Sequence, residues 1–185
     1  MNKGMYRAFT LALVTLLAAA GMARVAQAAS ASEIDTKVNG TLEQFKSTVP
    51  GGAEFLSKAS GALVFPTITK GGFIIGGEFG EGALRVGGKT VDYYNIASAS
   101  FGLQIGAQQY SIVMVIMNDE ALKEFRESKG WEAGVDGSVA VAEWGAGDDI
   151  NTKTFKDPIV AFVFGNKGLM AGVSIEGSKI TKIEK

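Results

Sequence analysis

Lys70-Gly71-Gly72-Phe73-Ile74-Ile75-Gly76-Gly77-Glu78-Phe79-Gly80-Glu81-Gly82 is the stretch on which the reading of this chain turns. Phe and Ile in short runs favour a pleated, half-buried strand. Glycine inside a strand weakens it, so repeated strand glycines point to bulges, strong curvature or close approach of another backbone or a ligand. Read as one regular strand, Gly72, Gly76, Gly80 and Gly82 share a face opposite Phe73, Ile75 and Phe79. Gly102, Gln104, Gly106 and Gln108 repeat the pattern opposite Phe101, Leu103, Ile105 and Ala107. Two readings stay open: tight coiling or close packing of a sheet, and a ligand surface lined by backbone.

Outward from this block, the apolar core runs from Leu63 to Met117. Val86-Gly87-Gly88-Lys89 has the form of a two-residue hairpin, and Thr90 to Asn95 returns from it. Gln108-Gln109 reads as a weaker turn before Tyr110 to Met117, whose unbroken apolar run from Ile112 predicts a central strand buried on both faces. Asn118 or Asp119 caps a helix to about Ser128, with Leu122 and Phe125 facing inward. Further strands are predicted at 134–142, 158–164, 169–176 and 179–183, with a polar surface loop from Glu143 to Asp157.

Before the core, Ser32 to Val49 predicts a helix capped by Ser32, its stripe formed by Ile34, Val38, Leu42, Phe45 and Val49. Pro50-Gly51-Gly52 ends it, and a short helix from about Ala53 to Ala59 follows. The stripe suits docking on a sheet, the default source of helix stability, or lying on a membrane. The expected fold is α+β: a strongly coiled antiparallel sheet tending towards a barrel, with N-terminal helices and one mid-chain helix.

Residues 1–28 read as a secretory signal peptide. Lys3 and Arg7 form the positive region, Ala8 to Met22 the apolar region, and Ala26-Gln27-Ala28 offers small residues at the cleavage site. The apolar span is short for a retained anchor. Removing it from the 185 residues leaves one domain, 29–185, and takes away three basic residues (Lys3, Arg7, Arg24) and no acidic one. From 18 basic and 19 acidic residues the net charge becomes −4. That balance argues against nucleic acid as a partner and against bulk attraction to an anionic membrane. The expected location is the periplasm, with peripheral membrane association.

The chain holds no histidine and no cysteine. Ser-His-Asp and Cys-His nucleophiles, disulfides, a lipidated cysteine and the usual zinc sites are therefore excluded. Glu78 with Glu81, or Asp119 with Glu120, are simpler as solvated or helix-start carboxylates than as an acid–base pair. Gly76 to Gly80 lacks the following helix of a phosphate loop, and Asp148-Asp149-Ile150-Asn151 lacks calcium-loop spacing. No enzyme activity and no cofactor are expected. A small outer-membrane barrel fits poorly, because several strands are short and helices interrupt them.

Ala62-Leu63-Val64-Phe65-Pro66, the Lys70-to-Gly82 block, Ser100 to Gly106, and Asn166 to Gly177 together resemble the SYLF-domain lipid-binding family, in order and spacing, across about Ser32 to Lys179. The resemblance implies lipid or membrane-surface binding; in eukaryotic members it extends to phosphoinositide membranes and actin filaments. With a bacterial-style export signal, the transferable part is recognition of a lipid surface in the cell envelope. The family's use of its N-terminal helix and nearby cations for membrane contact corresponds here to Ile34, Lys37, Val38, Leu42, Phe45, Lys46 and Lys58. The alternative is an envelope structural or protein-interaction module without a lipid ligand, its protein partner unknown. The signal reading predicts that periplasmic fractionation and intact-mass measurement find a chain beginning at Ala29, and a cytoplasmic product retaining residues 1–28 would refute it.

Overall fold

The computed structural model describes residues 29–72, 75–101, 106–142, 156–165, 168–169 and 173–185. The proposed signal peptide, the acidic run at 148–151 and the glycine face at 102–105 lie outside them. Among these residues, helices α1 (Ala31–Thr48), α2 (Gly52–Lys58) and α3 (Asp119–Glu127) accompany nine strands. The strands are β1 (Gly61–Gly72), β2 (Ile75–Val86), β3 (Lys89–Phe101), β4 (Gly106–Ile116), β5 (Trp131–Glu132), β6 (Val139–Ala142), β7 (Ile159–Gly165), β8 (Gly168–Leu169) and β9 (Lys179–Ile183). They form one strongly curled sheet in the order β5-β9-β3-β2-β1-β4-β7-β6, with β8 paired to β7. The expected α+β class holds. The pairing is antiparallel except for β6 against β7, which run parallel.

The curl starts in β1. Val64 pairs with Ala83 and Thr67 with Glu81, while Phe65 pairs with Ile112 and Ile68 with Tyr110. One extra residue therefore sits in β1 against both neighbours, a bulge centred on Phe65-Pro66. A bulge bends its strand and sharpens its twist, and it is where a central strand tolerates proline, which has no N–H for the ladder. Ser111 Oγ donates to the freed Pro66 carbonyl at 2.8 Å.

Two glycines of β2 accommodate that bend. A Cβ on Gly82 would lie 2.1 Å from the Val64 carbonyl oxygen and 2.7 Å from the Phe65 ring. One on Gly80 would lie 2.7 Å from the Thr67 carbonyl oxygen and 2.8 Å from Ile68 Cδ1. Of the two readings of the glycine face, close packing accounts for these two positions.

The Lys70-to-Gly82 block is not one strand. Gly71 pairs with Gly77 and Gly72 with Gly76, so the chain reverses between them and Gly72 belongs to a different strand from Gly80 and Gly82. The flanking Gly-Gly pairs are nearly symmetric in sequence, and alternation alone does not mark a reversal inside such a run. Gln108-Gln109 is likewise not a turn. It lies inside β4, paired through Gln108 with Lys70 and through Gln109 with Thr69, on strands longer than their apolar segments. Between 134 and 142 only Val139–Ala142 is strand, since Gly134–Asp136 forms a turn. From 169 to 176, β8 ends at Leu169 and residues 173–175 take no regular structure.

Other expectations hold. Val86 pairs with Lys89 across Gly87 (φ 56°) and Gly88 (φ 79°), both in the left-handed region a two-residue turn requires. Asn118 caps α3 by accepting from the Ala121 N–H at 2.8 Å. Helix α1 begins one residue earlier than expected, because Ser30 and not Ser32 caps it. Ser30 Oγ accepts from the Glu33 N–H at 3.3 Å while the Ser30 N–H donates to Glu33 Oε2 at 2.8 Å, a capping box. Those bonds hold the Glu33 carboxyl below its ordinary range.

The sheet is buried on both sides. On one face, Leu63, Phe65, Ile68, Leu84, Tyr94, Ile112, Met114 and Ile116 meet Leu122 and Phe125 of α3, Trp131 and Ile180. Strands from opposite ends of the sheet order share this cluster, as only the concave side allows. On the convex face Val64, Ala83, Val113, Val115, Val160 and Phe162 meet Ile34, Val38, Phe45 and Val49 of the α1 segment and Phe55 of α2. Phe162 stacks edge-on against both Phe45 and Phe55, with centroids 4.9 Å away in each case. Strand β4 feeds both clusters alternately, as its apolar run predicted.

The glycine geometry sets an asymmetric expectation. Gly82→Ala forces a side-chain carbon into backbone and should destabilise by about 3 kcal/mol, a fall in Tm of roughly 6–12 °C. Gly77→Ala meets nothing closer than the Ser98 carbonyl oxygen at 3.6 Å and should leave Tm unchanged or slightly raised. Thermal melts of the two variants check this, and equal behaviour would remove the packing role of Gly82.

Candidate binding groove

The seven residues singled out in sequence divide cleanly. Ile34, Val38 and Phe45 are buried in the convex core, so the stripe is a docked helix face. Each large apolar side chain buried there contributes roughly 1.5–3 kcal/mol, which ties the helix to the sheet. Lys37 lies exposed on the solvent side of α1. Lys58 pairs with Glu54 at 2.6 Å on α2, and Lys46 with Glu43 at 2.8 Å on α1.

Only Leu42 and Lys46 come together in a concavity. It is a groove of about 530 Å³ between the last turns of α1, helix α2 and the β2–β3 hairpin. Leu42, Leu56, Ala53 and Ala59 give it an apolar wall, and Lys46 and Arg85 are its cations. The Gly87-Gly88 turn forms one rim.

Arg85 and Leu56 were not singled out in sequence, and the hairpin was read there as a turn and not as part of a site. The signal was present only as alternation: Arg85 shares the convex side of β2 with Ala83, where a charge is unexpected unless a partner covers it. The partner is α1. Arg85 Nη2 donates to Asn39 Oδ1 at 2.8 Å and to the Asp35 carbonyl at 3.4 Å, and Nη1 donates to the Gly88 carbonyl at 3.3 Å. The Asp35 carboxylate lies 3.5 Å from Nη2, and accepts from Thr90 Oγ1 at 2.6 Å and from the Tyr93 hydroxyl at 3.0 Å. Burial first, and the bond to Asp35 second, push the Tyr93 phenol up. The Arg85 side chain is only 13% exposed and its Nε is buried without a partner among the described residues. A guanidinium so held is a fixed positive charge beside an apolar wall.

A smaller, more polar cleft of about 220 Å³ lies where α1 crosses the bulge, lined by Thr41, Gln44, Thr67, Gln109 and Ser111 among others. Gln44 Nε2 donates across it to the Gly165 carbonyl at 3.3 Å. On the concave side, the Tyr110 hydroxyl donates to Glu78, whose other oxygen pairs with Lys70 at 2.6 Å. Among the described residues no group of three or more His, Cys, Asp or Glu gathers as a metal set, and no helix is long and apolar enough to cross a membrane.

The N-terminal helices thus lie on the convex face of a curled sheet, with an amphipathic groove at their margin. Residues 97–185 match the family model described as Ysc84: Las17-binding protein actin regulator. The chain is 28% identical over 131 residues to the SH3 domain-containing YSC84-like protein 1 of Rattus norvegicus, covering 68% of this chain and 38% of that protein. Against Protein YSC84 of Saccharomyces cerevisiae the identity is 27% over 133 residues, covering 68% and 28%. Against LAS seventeen-binding protein 3 of the same species it is 28% over 134 residues, covering 69% and 29%. The chain is thus similar to the Ysc84 (SYLF) proteins, the family its glycine-rich motifs resemble. It spans less than two fifths of the length of these curated relatives, of which LAS seventeen-binding protein 3 is named for binding.

The buried phenols give this fold a defined alkaline limit. Burial first, and the Asp92 charge second, push Tyr94 up to about 12; burial and Glu78 raise Tyr110 as well. An unfolded phenol ionises near 10. The folded chain then keeps protons that the unfolded chain releases, so the stability these phenols contribute is complete below about pH 10 and is lost as pH rises towards 12. Tyr94→Phe deletes one such group, together with a hydroxyl buried without a partner among the described residues. It should raise the midpoint of alkaline unfolding followed by circular dichroism, and an unmoved midpoint would contradict the assignment.

Proposed function

We propose that this chain is a non-enzymatic module that binds phospholipid or a membrane surface in the bacterial cell envelope, acting in the periplasm after removal of residues 1–28. The observation that carries the reading is the groove between α1, α2 and the β2–β3 hairpin. Leu42 and Leu56 offer an apolar wall, with Lys46 and the anchored Arg85 beside it, the arrangement suited to an acyl chain with an anionic head. Of the helix residues the resemblance brought forward, Leu42 and Lys46 take direct part. Ile34, Val38 and Phe45 reach a bilayer only if α1 leaves the sheet, which would expose the convex core. Lys37 on α1 and Lys58 on α2, the latter paired with Glu54, lie outside the groove lining.

A second reading rests on the names of the relatives. LAS seventeen-binding protein 3 is named for a protein partner, and the same groove suits the apolar side chain of a protein segment.

Vesicle sedimentation of the mature chain, with lipid extraction and mass spectrometry of the purified protein, tests the first reading. Binding with modest salt dependence is expected, since a net charge of −4 after removal of residues 1–28 leaves little attraction to screen. Leu42→Ser with Leu56→Ser should weaken binding about tenfold or more while circular dichroism shows the fold intact. If wild-type protein ignores neutral and anionic vesicles and carries no lipid, the lipid reading fails and the protein-interaction reading takes its place.

A further inference from the structure

The residue that follows the expected cleavage site does not simply enter α1. The Ala29 N–H donates to Glu81 Oε2 at 3.1 Å, from the start of the helix segment to the convex side of β2. The other oxygen of that carboxylate, Oε1, takes Lys185 Nζ at 2.8 Å, and the same ammonium donates to the Ala29 carbonyl at 2.9 Å. The Lys185 side chain is 8% exposed and that of Glu81 18%. Three parts of the chain far apart in sequence are thus tied at one point: the entry to α1, the middle of β2, and the residues after β9. Ala29 also packs its methyl against the convex core.

In the full-length chain that N–H belongs to a neutral amide. Hydrolysis of the Ala28–Ala29 bond by a signal peptidase adds one water: Ala28 takes the hydroxyl oxygen as a carboxylate, and the Ala29 nitrogen takes up protons as an α-ammonium. We propose that Glu81 is the receptor for this new terminus, so that removal of residues 1–28 converts a neutral hydrogen bond into an ion pair and fastens α1 to the sheet. Charge-assisted hydrogen bonds are roughly twice as strong as neutral ones, and partial burial reduces their screening. The α-ammonium and Lys185 share the carboxylate, an oxygen each. Lys185 is then a competitor for Glu81 as well as a neighbour, and its removal should strengthen the hold on the terminus. The inference goes beyond the binding reading and rests on cleavage after Ala28.

The test compares a chain beginning at Ala29 with one that keeps Gln27-Ala28 ahead of it, each carrying Glu81 or Glu81→Gln. At low salt the chain beginning at Ala29 should melt about 2–4 °C higher, and Glu81→Gln should abolish the difference. In Lys185→Met the difference should persist or widen. Equal melting of the two wild-type forms overturns the proposal, as does a difference that survives Glu81→Gln or disappears in Lys185→Met. Intact mass of the exported protein separates the two failures: cleavage elsewhere overturns the maturation step, whereas equal melting overturns the receptor. Neither outcome bears on vesicle binding.

Discussion

The contact on which the rest of the structure depends is backbone against backbone, at the crossing of the β1 bulge and the glycines of β2. Phe65-Pro66 adds one residue to a central strand, and the carbonyls of Val64 and Thr67 press into space that only glycine at 82 and 80 leaves open. A sheet kinked there closes round its own concave side, where α3 and Trp131 complete the packing. It also offers a convex back to α1 and α2. The bulge shifts side-chain parity within β1, so that Leu63 and Phe65 before it and Ile68 after it all reach the concave cluster. Without the shift, Ile68 would fall on the convex side, where α1 crosses.

The same closure fixes the groove. Helix α1 is held by Ile34, Val38 and Phe45 beneath it and by the Asp35–Arg85 network at its flank. The β2–β3 hairpin is tied to the helix through Arg85 and Thr90. The walls of the groove are therefore set by buried packing on one side and by a charged clamp on the other. Leu42, half-buried at the edge of the helix stripe, is what remains facing outward.

Much of this was legible in sequence where burial and periodicity point the same way. The apolar run from Ile112 predicted a doubly buried strand, which holds through Ile116 with Met117 just beyond it, and Gly87-Gly88 predicted the turn. Legibility ended where two local patterns compete. Gly71-Gly72 and Gly76-Gly77 fit a continuous strand as well as the two arms of a reversal, and only the partner strands decide. Ser30 and Ser32 are both acceptable caps, and the carboxylate of Glu33, three residues beyond Ser30, selects the first. At the groove, Leu42 and Lys46 followed from the helix pattern. Arg85 did not, because a strand arginine betrays its role only when the helix covering it is in place. The helix stripe marked its residues as apolar and aligned without saying which lie under the sheet contact and which at its margin.

The ties between the two ends of the chain carry a kinetic consequence. Phe45 rests on Phe162, Gln44 reaches Gly165 over 121 residues, and β9 completes the sheet beside β3. Pairings of such long range form slowly, because loop closure must precede any gain from contact. A growing polypeptide that lacks its final third has no β7 for α1 to cover and no β9 to seal the edge of β3. Until those strands are present, the buried stripe of α1 lacks part of the surface it packs on, and the convex core cannot close.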